Sequence, residues 1–189
     1  MPVCFSPNAL TILKKRYFLP GETPEQLLYR IGFGNPEFRF LFENLDFLPN
    51  SPTIFNAGTG RGTLSACFKF DVADDMHSIM DVSKKSALVQ KWGGGVGYVL
   101  SEIRPKGSVI QTTHRSACGP VAVLKHYQST SELVTQAGKR DGAQMAILSC
   151  DHPDILEFIN CKNDNPQRLS TFNISVAITD EFMEKVVAG

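Results

Sequence analysis

The sequence has no surplus of charge of either sign: 19 Lys plus Arg stand against 19 Asp plus Glu, for a formal net charge of +0. That balance excludes a broadly basic nucleic-acid surface and leaves only local patches for phosphates. No apolar run approaches the roughly 18 residues that a membrane span needs. The first residues (MPVCFSPNALTILKKRYFLPG) place the basic pair Lys14 and Lys15 after the apolar ones, so the apolar stretch of a secretory signal is missing. A soluble, cytoplasmic chain with no membrane and no direct nucleic-acid partner is expected. Also lacking are internal repeats, low-complexity linkers and any C-x-x-C. The five cysteines (Cys4, Cys67, Cys118, Cys150 and Cys161) are odd in number and widely spaced, which excludes a secreted disulfide framework and a zinc ribbon. Most are expected to be buried, reduced thiols. His77, His114, His126 and His152 show no metal-ligand spacing, and no metal site is expected.

What remains is an ordinary globular composition: 189 residues, 42% hydrophobic and 20% charged, enough for one large domain. Leu10 to Leu48 reads as helical and rich in aromatics. Thr23-Pro24-Glu25-Gln26 opens a helix, with Thr at the cap, Pro in the first turn and Gln three residues on; Leu27, Leu28 and Ile31 give it an apolar face. Phe38 to Phe47 suggests a further short helical segment. The texture changes at Pro49, which divides the chain into a helical segment, 1–48, and an α/β region, 49–189. In that region strands are expected at Leu64–Phe70, Val96–Ile103, Ala143–Ser149 and Phe172–Ile178. Helices are expected at Asp74–Lys91, Pro120–Gln136 and Pro153–Asn160, with a last one capped by Thr179. The first of these has acidic residues at its start and an apolar stripe of Met76, Ile79, Met80, Ser83, Ala87 and Leu88. Strands alternating with helices mean a mainly parallel α/β arrangement.

Several loops are suited to ligands, and each has an ordinary structural reading beside it. The run Trp92-Gly93-Gly94-Gly95-Val96-Gly97 follows a helix and precedes a strand, the reverse of a dinucleotide fingerprint, and no Walker lysine follows; a tight turn is expected. Asn50 to Gly60 reads as a polar loop before the strand of Cys67, fit for a polar ligand or an ordinary turn. Cys67 lies in Leu64-Ser65-Ala66-Cys67-Phe68, where an inert core thiol is the commoner outcome. Arg104 to Cys118 forms a long polar segment, and Gly138-Lys139-Arg140-Asp141-Gly142 a basic loop. Together they suit an anionic ligand such as nucleotide phosphates, and equally two solvated loops. The residues alone define an α/β domain with polar loops fit for a phosphorylated ligand.

In this order the motifs resemble the large catalytic chain of a ribonucleotide reductase, most closely the adenosylcobalamin-dependent class II enzymes. The carrying segments are RYFLPGETPEQL (Arg16 to Leu27), LPNSPTIFNAGT (Leu48 to Thr59), LSACF (Leu64 to Phe68), GGGVG (Gly93 to Gly97), IRPKG (Ile103 to Gly107), GKRDGAQMAIL (Gly138 to Leu148), HPDILEFI (His152 to Ile159) and FNISVAITDEFM (Phe172 to Met183). They cover nearly the whole chain with natural spacing.

The resemblance implies a fold: a helical amino-terminal segment followed by the first half of a ten-stranded α/β barrel. It also implies an activity, reduction of the ribose 2′-OH of a ribonucleotide through a thiyl radical, with a cysteine pair supplying the electrons. Cys67 matches the first of that pair, and Ser51, Ala66, Cys67 and Gly95 match positions that contact the substrate. Asp74, Asp75 and Met76 match the segment that binds a deoxynucleoside triphosphate (dNTP) effector, and Arg104 its phosphate-binding arginine. Gln111 falls where a second arginine can occur. Lys106 to Cys118 and Cys161 to Thr171 match the two specificity loops. Implied partners are adenosylcobalamin, a dNTP effector, a thioredoxin-like electron donor, a carboxy-terminal remainder in the same or a separate chain, and a second copy packed through the helices that start at Asp74 and Pro120.

Departures from the family pattern also set expectations. The finger loop Asn-x-Cys-x-Glu, which carries the radical cysteine, does not occur in the sequence, and neither do the second redox cysteine and the carboxy-terminal relay cysteines. Ala137 and Asp141 stand where a glycine and a basic residue are usual. No ATP-cone segment is found. The chain is therefore expected to be an amino-terminal portion, inactive alone. A non-catalytic nucleotide-binding module and a piece of a class I large subunit are the alternatives.

Overall fold

The computed structural model describes residues 5–135, 143–163 and 169–189. Cys4, Ala137 and the basic loop from Gly138 to Gly142 lie outside the described residues. The chain gathers into two compact units, one running through Ala66 and including Trp92–Gly94, the other made of Cys67–Lys91 and Gly95–Gly189.

The first unit holds four helices: α1 (Pro7–Arg16), α2 (Pro24–Ile31), α3 (Pro36–Glu43) and α4 (Ser51–Asn56). Each follows an N-cap whose side chain accepts a backbone N–H (Ser6, Thr23, Asn35 and Asn50) and carries Pro in its first turn. Such a cap contributes about 1 kcal/mol, and Pro there gives up an N–H that has no helical partner anyway. The expected capping box of α2 is present, with Thr23 and Gln26 bonding reciprocally. Leu27, Leu28 and Ile31 pack on Phe42, Ile54 and Ala57 as the unit's core. The polar loop expected from Asn50 instead begins as α4, because Asn50 caps it and Pro52 fits its first turn.

The second unit is built on four parallel strands, β1 (Cys67–Asp71), β2 (Gly95–Val99), β5 (Gln144–Ser149) and β6 (Phe172–Ala177), in the order β1-β2-β5-β6. The helix α5 (Met76–Lys91) joins β1 to β2, α6 (Pro120–Thr135) precedes β5, α7 (Ile155–Asn160) joins β5 to β6, and α8 (Asp180–Ala188) follows β6 behind its Thr179 cap. Within the long polar segment a short antiparallel pair forms, β3 (Val109–Ile110) with β4 (Arg115–Ser116). The core lies between the sheet and the helices and includes Tyr98, Leu100, Leu124, Tyr127, Leu148 and Phe158. Tyr98 and Tyr127 stack with ring centroids 4.4 Å apart.

Two expectations for this unit are corrected. The buried face of α5 is Val82, Ser83, Ser86 and Gln90, packed toward α6, where Ser83 and Thr130 share a 3.0 Å hydrogen bond. Of the expected stripe, Met76 (69%), Met80 (50%) and Leu88 (53%) are exposed instead, whereas Ser83 is buried and Ile79 packs against the core. The thiols are not buried either: Cys67 and Cys118 are exposed, and Cys150 and Cys161 are half-buried. Cys67 opens a strand that, among the described residues, has a neighbour on one side only, and Cys118 lies in the loop before α6, so neither is covered on all sides by them.

Candidate functional site

Parallel pairing lines up the strand starts. Cys67 is the Cα partner of Gly95, Val96 of Gln144, and Gln144 of Phe172, so these residues form one edge of the sheet. On that edge the Cys67 thiol is exposed. Behind it runs a buried polar chain: the Tyr98 hydroxyl donates to Gln144 Oε1 at 3.1 Å, and Gln144 Nε2 donates to Thr171 Oγ1 at 2.9 Å. Burial pushes the Tyr98 phenol up to about 12, with a hydrogen bond to Ser86 a smaller opposing influence. Sequence reasoning missed this chain; its one signal is a Gln at the head of the otherwise apolar run Met145 to Leu148.

Ser51 and Ala66 belong to the first unit. Ser51 opens α4, and its hydroxyl lies 3.1 Å from the Tyr17 hydroxyl. Arg30 holds α4 in place: Nη1 donates to the carbonyls of Ile54 at 2.9 Å and Ala57 at 2.8 Å, while Nε and Nη2 pair with Glu22. Burial alone would raise the Glu22 carboxyl, but the bonds from Arg30 and the Leu19 N–H, with the Arg30 charge, hold it below its ordinary value. Ala66 is half-buried immediately before β1. Of the glycine run, Gly93 needs its left-handed conformation (φ +84°), as a tight turn requires.

Asp74, Asp75, Met76 and Arg104 lie past the far ends of β1 and β2, at the opposite edge of the same sheet. A five-residue strand separates the edges by about 16 Å. Asp74 and Arg104 are brought together there: Asp74 Oδ1 accepts the Arg104 N–H at 3.1 Å, and Oδ2 pairs with Arg104 Nε. Asp75 Oδ1 accepts the Ser78 N–H at the start of α5, which replaces the acidic first turn expected there. Met76 is exposed, and so is Gln111, in the turn between β3 and β4. The arrangement offers an arginine, anchored by a carboxylate, to an anion beside an exposed apolar side chain.

Cys67 has no disulfide partner at the far edge. Cys150 follows Ser149, the last residue of β5, about 20 Å along the strands, against the Cα separation of under about 7 Å that a disulfide needs. Among the described residues no group of His, Cys, Asp and Glu could hold a metal ion, and no helix is long and apolar enough to cross a membrane.

A parallel sheet backed by helices, with a thiol at one edge and a paired arginine at the other, is an α/β arrangement. Residues 65–189 match the family described as "Ribonucleotide reductase, barrel domain", and the chain belongs to that family. It is 46% identical over 149 residues to the vitamin B12-dependent ribonucleoside-diphosphate reductase of Thermoplasma acidophilum, a match that covers 79% of this chain and 19% of the relative. The Mycobacterium tuberculosis protein of the same description is 38% identical over 200 residues, covering 94% of this chain and 29% of the relative. The Variola virus ribonucleoside-diphosphate reductase large subunit is 33% identical over 92% of this chain and 25% of its own length. The chain thus spans less than a third of these relatives. The fold is shared with the class Id ribonucleotide reductase alpha subunit of Actinobacillus ureae, at TM-score 0.82 and 22% identity, over 97% of this chain and 35% of that one.

Proposed function

We propose that this chain supplies the amino-terminal portion of the catalytic subunit of a ribonucleotide reductase. The exposed thiol of Cys67, at a sheet edge inside the matched barrel region, carries the reading. Cys67 is one of two thiols that reduce the substrate: two S–H bonds are lost, one S–S bond forms, the 2′-hydroxyl leaves as water, and C2′ gains hydrogen. The second thiol comes from outside these 189 residues. Ser51, Ala66 and Gly95 contact the ribonucleotide. Asp74, Asp75, Met76, Arg104 and Gln111 bind the dNTP effector, at an interface between two copies formed by α5 and α6.

The names of the relatives from Thermoplasma acidophilum and Mycobacterium tuberculosis support a B12-type cofactor, adenosylcobalamin, over the class I alternative. The described residues give it no ligating cluster. A thioredoxin-like protein would reduce the disulfide.

The test is complementation. The purified chain, given ribonucleotide, adenosylcobalamin and a dithiol, should not turn over alone. Mixed with a carboxy-terminal reductase chain that carries Asn-x-Cys-x-Glu, it should produce deoxyribonucleotide, and Cys67→Ser should abolish that product. Turnover by the chain alone, or equal turnover with Cys67→Ser, overturns the reading. dNTP binding without complementation would favour the non-catalytic module.

A further inference from the structure

The His152-Pro153-Asp154 turn before α7 has no part in the function proposed above, yet it pins the loop that carries Arg104 on both sides. His152 is buried; its Nε2 lies 2.8 Å from the Ile103 carbonyl, and its Nδ1 accepts the Asp154 N–H at 3.0 Å. With Nδ1 accepting, Nε2 is the protonated nitrogen and donates to Ile103. Asp154 makes no capping bond to its own helix; its Oδ2 accepts the Lys106 N–H at 2.7 Å. Arg104 therefore sits between two anchored residues, one on each side.

The returning limb of the loop is held at the same point. Gly119 (φ +75°) passes so close that a Cβ there would lie 2.9 Å from Asp154 Oδ2 and 2.9 Å from Lys106 Cβ. The Lys106 ammonium also reaches both Glu157 oxygens, but that pair is exposed and weak by comparison. Arg104 itself spends its N–H and Nε on Asp74, and among the described residues Nη1 has no partner. A guanidinium anchored at one edge with a donor left over is set to meet an anion.

We propose that Asp154, assisted by His152, is a positioning residue for phosphate recognition by Arg104. The turn fixes the backbone on both sides of the arginine, so that an anion meets the guanidinium without first reordering the loop. This rests on the effector reading of Arg104.

The experiment measures binding of a dNTP and of its parent deoxynucleoside to the purified full chain by calorimetry, using whichever of the four pairs binds the wild type best. Asp154→Ala should weaken the triphosphate about tenfold while leaving the nucleoside within about twofold. Asp154→Asn, whose amide oxygen still accepts the Lys106 N–H, should recover most of the loss. On an Arg104→Ala background, Asp154→Ala should add nothing further. Equal weakening of nucleoside and triphosphate, or a further loss on the Arg104→Ala background, overturns the proposal and leaves the turn a scaffold only. Should Asp154→Ala fail to fold, His152→Phe carries the same comparison with the carboxylate intact. A wild-type chain that binds no dNTP overturns the effector reading itself, an outcome visible before any variant is made.

Discussion

Cys67 and Gly95 are Cα partners across the β1–β2 ladder. Partners in a parallel ladder project side chains to the same face, so the thiol stands beside a position with no side chain. Gly95 lies in a strand without a positive φ, so its backbone does not require glycine. Gly95→Val should therefore leave stability unchanged or slightly higher, since glycine weakens a strand interior. The branched side chain should slow alkylation of Cys67 by iodoacetamide several-fold. Mass-resolved labelling reads this directly, with exposed Cys118 as the internal control. Unchanged Cys67 labelling would show that the glycine leaves no approach to the thiol.

Arg30 on α2 makes four bonds: two to half-buried Glu22, and two to the Ile54 and Ala57 carbonyls that join it to the α4 segment. The side chains of Arg30 and Glu22 are only 10% and 6% exposed, so removing one partner strands a charge. Arg30→Ala should cost about 3 kcal/mol by urea denaturation. Arg30→Lys should cost less because it keeps the charge beside Glu22, yet still destabilise because an ammonium lacks the planar fork. The pair's contribution has a defined pH sense. The Glu22 carboxyl is held below its ordinary value of 4.5, so the stabilisation is fully present above that pH and is lost as pH falls through the folded value. The difference between wild type and Arg30→Ala should shrink in acid.

Much of this was legible in the residues. The Thr23 capping box, the Thr179 cap and the alternation of strand and helix were written locally, whereas Asn50, read as part of a polar loop, caps α4. The missed features were those that depend on what an element meets. The helical spacing of the α5 stripe was legible, but not which of its residues is covered: Ser83 is buried with Ser86 and Gln90 on the face packed toward α6, whereas Met76, Met80 and Leu88 are exposed. Asp154 stands at the start of α7, yet its carboxylate accepts the Lys106 N–H, 48 residues away in sequence, which no local pattern announces. Motif order carried the resemblance, whereas the Asp74–Arg104 pairing needed the parallel sheet to bring two loops to one edge.

The Tyr98 phenol is buried, bonded to Gln144, and pushed up to about 12. A phenol whose folded value exceeds its unfolded one contributes stability that is complete below about pH 10 and is lost as pH rises toward 12. Tyr127, stacked on it, is raised as well, first by burial and then by the neighbouring phenol. Absorbance at 295 nm should therefore show these two rings ionising late, together with unfolding. Tyr98→Phe should remove one late transition and leave Gln144 Oε1 buried without a donor, costing about 1–3 kcal/mol at neutral pH. An early, reversible ionisation of Tyr98 would contradict its burial.

The outward side of α5 is partly apolar. Met76, Met80 and Leu88 are half or more exposed on a helix whose opposite face is already committed to α6. Apolar side chains aligned in this way are removed from water when two copies pack together. The proposed effector residues Asp74, Asp75 and Met76 stand at the start of the same helix, so a bound dNTP and a second copy would act on one element. Met80→Glu and Leu88→Glu together should shift the chain toward monomer in light scattering and weaken dNTP binding in parallel. Because neither residue is in the buried core, the variant should keep the far-ultraviolet circular dichroism and melting temperature of the wild-type monomer. Loss of self-association with dNTP affinity intact would separate the effector site from the interface. A wild-type chain that stays monomeric with saturating dNTP would remove the interface from the reading altogether.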